Sequence, residues 1–286
     1  MIVESVVSVP NRHARALHTT VTIPTSADGQ WPLVVILHGH KGFRNYGFLP
    51  WIAQGVAASD MIAIRMCFSL NGMDNTSWLV QRPDDFASNT LTCEVDDVHD
   101  LLQQIQTHDE FSALRACWNG RLAIVGHSRG GGIAQVAGRE IVESGSEFAK
   151  WLTVIGLNSV GNWTRWTPRQ AAAWRQAGHV EVNNQRTGQT VRIDSSFLDD
   201  VENNEARLSL TAAVQRLDRQ MLFIHAAQDL TVPIAEVQTL ASHAPGGANL
   251  VVIDNTTHTF GMTHPVERIT SGFLDAFTHI IDRIGQ

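Results

Sequence analysis

The chain has 286 residues, of which 43% are hydrophobic and 17% are charged, and its formal net charge is -7. This length and apolar content are enough to bury a full core, which excludes the disordered and fibrous classes. The acidic balance and the lack of a Lys/Arg cluster argue against nucleic acid as a partner, because a phosphate backbone is bound by cationic surface.

Targeting signals and a cysteine framework are not expected. The start, MIVESVVSVPNRHARAL, carries an early Glu4 and no long apolar core behind a basic start, so we expect a cytoplasmic protein without a secretory signal. Every apolar run is broken before the roughly 20 residues that span a bilayer, so no membrane span is expected. Cys67, Cys93 and Cys117 lack a CxxC spacing, which indicates reduced packing residues and no metal site.

Short apolar or β-branched runs predict eight strands. They cover residues 3–9, 17–23, 33–37, 61–65, 121–125, 152–157, 221–225 and 250–254. The first two are joined by a short polar link, which favours an antiparallel hairpin at one edge of a sheet. Helix-length amphipathic stretches follow at residues 93–107, 129–143, 234–244 and 266–284. This alternation predicts an α/β fold, with a mostly parallel sheet flanked by helices.

Residues 158–219 do not fit the alternation, because they separate two predicted strands by far more than a usual connection in a compact domain. Turn residues, Pro168 and good helix formers predict a helix that stops at Gly178. The next stretch, VEVNNQRTGQTVRI, predicts a hairpin that turns near Thr187 and Gly188, and one or two further helices follow.

We expect residues 158–219 to be a lid or cap insertion on a core formed by residues 1–157 and 220–286. A separately folded domain is the alternative. About 60 residues lie near the lower limit for independent folding, which favours a cap resting on the main body.

A nucleophile elbow is predicted at Ser128. The motif Gly126-His127-Ser128-Arg129-Gly130 follows the strand RLAIV and precedes the helical run IAQVAGREIV, which is the context that G-x-S-x-G requires. Side chains in place of the glycines would collide with the neighbouring strand or helix. The serine hydroxyl is then exposed at the carboxyl edge of the sheet. A glycine-rich turn with an incidental serine is the structural alternative.

A serine hydroxyl needs a base to take its proton, and His258 is the predicted base. It lies in DNTTHTFGMTHP, between the last predicted strand and the last helix, where the chain order Ser, acid, His places the base. His264 is the rival, but it precedes Pro265 and is interpreted as a loop residue that fixes the turn. His127 flanks the serine and is interpreted as a packing residue that points away from it.

Asp229 is the predicted acid. It lies in AAQDLTVP, directly after the strand that precedes the histidine's strand. From there its carboxylate can accept a hydrogen bond from one imidazole nitrogen of His258 and direct the other toward Ser128. Asp254 is the competitor, but it lies too close to His258 in the chain to approach the ring from behind, and is interpreted as a surface or turn carboxylate.

Acyl transfer also needs two fixed N–H donors for the developing oxyanion. The backbone amide of Arg129 is predicted to be one donor. The loop after the third strand, in LVVILHGHKGF, should supply the other. The amide of His40 is the first choice for it and that of Lys41 the second.

The insertion carries Trp163, Trp166 and Trp174 close together. These tryptophans, with Lys41, are candidates for the lining of an apolar substrate pocket over the serine. An equal alternative is that the tryptophans only hold the cap to the body.

With these motifs the chain resembles the α/β-hydrolase superfamily, in the branch of dienelactone-hydrolase-like and cinnamoyl-esterase-like serine hydrolases. The resemblance spans nearly the whole length. It lies in HGHKGF, GHSRGG, RWTPRQAAAWRQAG, QRTGQ, QDLTVP and HTFGMTHP. It implies an eight-stranded sheet and hydrolysis without a cofactor. Serine stands where dienelactone hydrolases proper use cysteine, which favours carboxylic esters over lactones.

The sequence therefore predicts a serine hydrolase that cleaves small-molecule carboxylic esters through an acyl-enzyme, as a monomer or homodimer. A peptidase or an acyl thioesterase with the same triad is one alternative. A ligand-binding protein that keeps the fold without turnover is the other.

Overall fold

The computed structural model describes residues 2–25, 29–73, 79–184 and 187–286. The described residues form ten strands and ten α-helices. Strands β1 to β10 are Ile2–Pro10, Ala16–Pro24, Trp31–Leu37, Ile62–Met66, Trp118–His127, Leu152–Leu157, His179–Asn184, Gln189–Asp194, Met221–Ala226 and Asn249–Ile253. Helices α1 to α10 are Leu49–Ala58, Pro83–Ser88, Leu91–Thr107, Ser112–Cys117, Arg129–Glu143, Pro168–Ala177, Ser196–Asn203, Leu210–Leu217, Ile234–Ala241 and Ser271–Gly285.

Eight strands form one sheet in the order β1-β2-β4-β3-β5-β6-β9-β10. β2 pairs antiparallel with β1 and with β4, and the other neighbours are parallel. The predicted eight-stranded, mostly parallel sheet with an antiparallel hairpin at one edge is thereby confirmed. Helices α1, α2 and α4 were not predicted from the sequence. Helices α2 and α4 are only six residues long.

The central strands are apolar along their whole length because both faces of the sheet are covered. In β3, Leu33, Val35 and Leu37 pack into one buried cluster, with residues of α3 and α5. Val34 and Ile36 pack into a second cluster on the other face, with residues of α1 and α10. A sheet covered in this way can present polar side chains only beyond the ends of its strands.

The insertion has the predicted secondary structure. Helix α6 begins with a capping box between Thr167 and Gln170 and ends at Gly178, whose φ of 76° is left-handed. Strands β7 and β8 form an antiparallel hairpin. Part of its predicted turn, residues 185 and 186, lies outside the described residues. Helices α7 and α8 follow.

The two ends of the insertion pack differently. Asp200 in α7 accepts hydrogen bonds from the backbone amide and the hydroxyl of Thr92 at the start of α3. Helix α8 lies against α5, where a Cβ added to Gly138 would be 3.4 Å from a Leu217 methyl carbon. Thus α8 is in direct contact with a helix that covers the sheet, and the division of the chain at residues 158 and 219 stays a prediction.

Among the described residues, no helix combines the length and the apolar character needed to cross a membrane.

Candidate active site

Ser128 occupies a strained turn between β5 and α5. Its φ of 57° and ψ of -119° lie outside the regions that residues with a Cβ normally adopt. The turn is held by hydrogen bonds in which Ser128 N–H donates to Leu157 O at 2.9 Å and Val160 N–H donates to Ser128 O at 3.2 Å. At this turn Ser128 lines two cavities.

The glycines around Ser128 are required by close backbone approach. A Cβ at Gly126 would lie 2.1 Å from Gly130 O, and a Cβ at Gly130 would lie 2.4 Å from His38 O. Gly39 belongs to the loop after β3, and its Cβ would come within 3.0 Å of Ser128 Cβ. The loop after β3 therefore lies directly against the elbow, as the prediction of a second oxyanion donor requires.

The predicted base and acid are in contact. His258 Nδ1 lies 2.7 Å from Asp229 Oδ2, and the Asp229 side chain is fully buried while that of His258 keeps 18% exposure. The backbone amides of Thr231 and Val232 donate to Asp229 Oδ1 at 2.8 and 2.9 Å. Burial acts to raise the pKa of Asp229, but the hydrogen bonds from His258, Val232 and Thr231 outweigh it and hold that pKa below its ordinary value.

Ser128 and His258 line the same cavity, whose volume is about 580 Å³. Among the described residues, Ser128 Oγ makes no hydrogen bond to the imidazole of His258. In enzymes without bound substrate, such hydrogen bonds are often long and tighten when the substrate is held. The structure thus brings the histidine to the serine's cavity and pairs it with the aspartate.

Two residues that the sequence analysis did not assign to the site fix the loop of His258. Asn158 Nδ2 donates to His258 O at 2.8 Å, and His127 Nε2 lies 2.9 Å from the same oxygen. The His127 and His258 rings are 4.7 Å apart between centroids. His127 is buried, in keeping with a packing residue, but it packs on the predicted base. Asn158 follows a strand end, which is the sequence signal that could have identified it.

His38 supports the loop after β3 as a neutral residue. Phe68 N–H donates to its Nε2 at 3.3 Å, so its Nδ1 carries the proton and donates to Gly39 O at 2.9 Å. Burial lowers the pKa of His38 to about 4, with the charge of Arg129 acting in the same direction. The carbonyl of Gly39 is thereby occupied, and it also accepts the amide of Gly42 at 2.9 Å.

Both predicted oxyanion donors border the serine. Arg129 is the first residue of α5, and the first four N–H groups of a helix have no partner within it. His40 lines the same cavities as Ser128. Lys41 has a left-handed φ of 57°, and its Nζ donates to Asn183 O in the insertion at 3.4 Å. The choice between the His40 and Lys41 amides stays a prediction.

A large apolar cavity of about 820 Å³ opens beside Ser128. Its walls include the predicted pocket residues Trp163, Trp166 and Trp174, and Phe197 stacks on Trp174 with ring centroids 6.1 Å apart. Trp163 Nε1 donates to Leu208 O, and Trp174 Nε1 donates to Ile193 O. These tryptophans both line the cavity and tie parts of the insertion to one another.

The 580 Å³ cavity has a different character. It is lined by His258 and by polar residues such as Lys41, Asn183, Asn184 and Thr259. His258 lines this cavity and is absent from the walls of the apolar one. Ser128 and His40 border both, so the two cavities meet at the elbow.

The two rejected alternatives lie elsewhere. Asp254 is exposed. His264 Nδ1 accepts the backbone amide of Gly47 at 3.0 Å, and its ring packs on Phe43 and Tyr46. Both therefore fit the roles of a surface carboxylate and of a loop residue.

A strained serine between a parallel strand and a helix, at the carboxyl edge of an eight-stranded sheet, defines the α/β-hydrolase fold, and this chain has that fold. Three solved structures are similar to it over nearly the whole length of both chains. Est1E from Butyrivibrio proteoclasticus with ferulic acid bound is 14% identical (98% and 100% covered, TM-score 0.68). The α/β hydrolase GrgF from a Penicillium species is 13% identical (99% and 98%, TM-score 0.69). A dienelactone hydrolase from Anabaena variabilis is 14% identical (99% and 97%, TM-score 0.61).

The sequence matches no protein-family model. No curated protein matches it either.

Proposed function

We propose that this protein is a serine hydrolase that cleaves carboxylic esters, with Ser128 as nucleophile, His258 as base and Asp229 as the orienting acid. The observation that carries the proposal is the 2.7 Å contact between His258 Nδ1 and the buried carboxylate of Asp229, at the rim of the cavity that Ser128 lines. A buried carboxylate on one imidazole nitrogen fixes the tautomer whose other nitrogen can take a proton.

The reaction follows from these positions. His258 Nε2 takes the hydroxyl proton as Ser128 Oγ attacks the ester carbonyl, and the amides of Arg129 and His40 stabilise the oxyanion. The imidazolium then gives its proton to the oxygen of the departing alcohol. The acyl group stays bound to Ser128 Oγ as the acyl-enzyme. Water activated by the same imidazole releases the acid and restores the hydroxyl.

In this proposal each half of the substrate occupies one of the two cavities. The leaving oxygen receives its proton from His258, so we place the alcohol in the 580 Å³ cavity that this histidine lines. The acyl group then occupies the apolar cavity walled by tryptophans. Est1E, which has been solved with the aromatic acid ferulic acid, supports a ring-bearing acyl group. In this proposal, residues 158–219 are the lid that encloses the acyl group.

An active-site probe tests the proposal. A fluorophosphonate should label the wild type at Ser128 and leave Ser128→Ala unlabelled, and only the wild type should hydrolyse nitrophenyl esters. A properly folded wild type that takes no label would refute it. Esters should be cleaved faster than peptide anilides and acyl thioesters of the same acid. Faster cleavage of the anilides would indicate a peptidase, and faster cleavage of the thioesters would indicate a thioesterase.

A further inference from the structure

A small cavity lies beside the loop after β3, and His258 is not among the described residues that line it. Its walls include His40, Lys41 and Arg129. It also borders three side chains that are more than nine-tenths buried, namely Asn71, Asn89 and Glu94, which are 4%, 7% and 3% exposed. The cavity therefore lies between the loop after β3 and the start of α3.

Each of these three side chains carries one buried polar atom that has no hydrogen-bond partner among the described residues. The atoms are Asn71 Nδ2, Asn89 Oδ1 and Glu94 Oε2. Their other polar atoms are engaged. Met73 N–H donates to Asn71 Oδ1 at 3.1 Å, and Asn89 Nδ2 donates to Glu94 Oε1 at 2.7 Å. Buried polar groups are rarely left unpaired in folded proteins, because each such group costs free energy.

The chemistry of the three atoms matches one water molecule. Asn71 Nδ2 is a donor, while Asn89 Oδ1 and Glu94 Oε2 are acceptors. One water can accept the hydrogen bond from Asn71 and donate to both acceptors, and buried waters make about three hydrogen bonds. A cation does not fit, because the amide N–H of Asn71 would point at it. The volume of the cavity is about 10 Å³, which is room for about one water.

Glu94 connects this cavity to the elbow. Its Oε1 lies 3.4 Å from Arg129 Nη1, and the guanidinium lies over the Phe197 ring, 5.1 Å from its centroid. The side chain of Arg129 is thus held between a buried carboxylate of the core and an aromatic ring of the insertion. Its backbone amide is the oxyanion donor of the proposed mechanism.

We propose that Asn71, Asn89 and Glu94 bind one structural water, and that the hydrated Glu94 carboxylate is a positioning residue that fixes Arg129 for oxyanion stabilisation. The second half rests on the proposed function, and the first half does not. Burial raises the pKa of Glu94, and the charge of Arg129 and the hydrogen bond from Asn89 oppose that effect. A water that donates to Glu94 Oε2 also favours the ionised carboxylate, which is the form that binds a guanidinium.

A high-resolution crystal structure of the wild type tests the water site. We expect electron density for one water within about 3.2 Å of all three atoms. A cavity without density, or one closed by new pairing among the three side chains, would overturn the site. This result does not depend on any hydrolytic activity.

A swap of donor and acceptor tests the chemistry of the site. Asn71→Asp alone places three acceptors around a water that can donate only two hydrogen bonds, so it should lower the thermal midpoint of unfolding by several degrees. Adding Glu94→Gln to it again offers one donor and two acceptors, and should recover more than half of that loss. A double variant as unstable as the sum of the single variants would refute the assignment.

Kinetics test the positioning role. Glu94→Gln should lower kcat for a nitrophenyl ester about ten- to a hundredfold with KM nearly unchanged, and the double variant should not restore kcat, because it lacks the charge at position 94. Asp97→Asn is the matched control on α3, since Asp97 is also buried but is bonded to Asn11 and Ser69.

Asp97→Asn should leave kcat within about twofold. The positioning role would be refuted if Glu94→Gln were fully labelled by the fluorophosphonate and kept the kcat of the wild type. A wild type that hydrolyses no ester would instead refute the proposed function and leave the water site standing.

Discussion

The side-chain amide of Asn158 donates a 2.8 Å hydrogen bond to the backbone carbonyl oxygen of His258, 100 positions later in the chain. Its Oδ1 accepts the backbone amide of Ala226 at 2.7 Å. Asn158 is completely buried and follows directly after β6. One side chain therefore joins the carboxyl ends of β6 and β9 to the loop that carries the predicted base.

Asn158→Leu should keep the branching of the side chain and remove both hydrogen bonds. We expect kcat to fall about tenfold because the His258 loop loses an anchor, and the free energy of unfolding to fall by about 1–3 kcal/mol because the buried Ala226 amide loses its partner. Nitrophenyl ester hydrolysis and urea unfolding measure the two effects. Asn119→Leu, at an exposed position, is the control. Equal kinetics in both variants would contradict the anchoring role.

Asp229→Asn should lower kcat about 10³- to 10⁴-fold with little loss of fold. The amides of Thr231 and Val232 would hold the remaining oxygen, so the introduced NH₂ would face His258 Nδ1 and favour the wrong tautomer. Asp254→Asn is the matched control, because this exposed carboxylate lies close to His258 in the chain. It should leave kcat unchanged. If Asp254→Asn were the more damaging variant, the assignment of the acid would be wrong.

Gly130→Ala should destabilise the elbow. The added methyl would meet His38 O at 2.4 Å and Leu37 O at 2.8 Å, and neither backbone oxygen can move without shifting β3. We expect a loss of about 2–3 kcal/mol in the free energy of unfolding. At Gly285 nothing lies within 4 Å of the added methyl, so Gly285→Ala should be neutral. Urea midpoints compare the two, and equal midpoints would disprove the close approach.

Trp166→Ala should change the acyl preference. Trp166 lines the apolar cavity and packs edge-on against Trp174, with centroids 5.7 Å apart. For a nitrophenyl ester of 3-phenylpropanoic acid, kcat/KM should fall about tenfold, while the acetate ester should change less than about twofold. Trp151→Ala, at a 58% exposed position, should change neither. An equal loss of kcat/KM for both esters would mean that the acyl group does not bind in the apolar cavity.

Glu140 makes the stability of the protein depend on pH. Burial acts to raise its pKa, but hydrogen bonds from His99 and Arg207 and the charge of Arg207 lower it to about 2, from an ordinary value of 4.5. Because the folded-state pKa is lowered, the stabilisation is complete above about pH 4.5 and is lost as the pH falls through 2.

Glu140→Gln lacks this stabilisation at every pH. At pH 7 we expect it to be less stable than the wild type by about 1–3 kcal/mol, and the difference should shrink toward pH 2. Urea unfolding at pH 7, 4 and 3 measures it. Glu143→Gln, at a 51% exposed side chain on the same helix, should show no such trend. A constant difference across this pH range would contradict the shifted pKa.

The sequence by itself determined the order of the strands along the chain, the elbow and the candidate triad. Apolar runs such as that of β3 mark strands buried on both faces, and the G-x-S-x-G motif between a strand and a helix marks the elbow. Chain order then indicated Asp229 and His258, because the carboxyl ends of parallel strands lie at one edge of the sheet. These are properties of short segments, so they can be recognised without knowing what packs against them.

Only the tertiary structure decided what surrounds those residues. Asn158 and Glu94 make hydrogen bonds to residues far away in the chain, His258 and Arg129, and no local pattern identifies these partners. The two cavities likewise exist only where separate segments meet. The physical reason is that secondary structure follows from neighbouring residues, whereas the partner of a buried polar group is set by the packing of the whole chain.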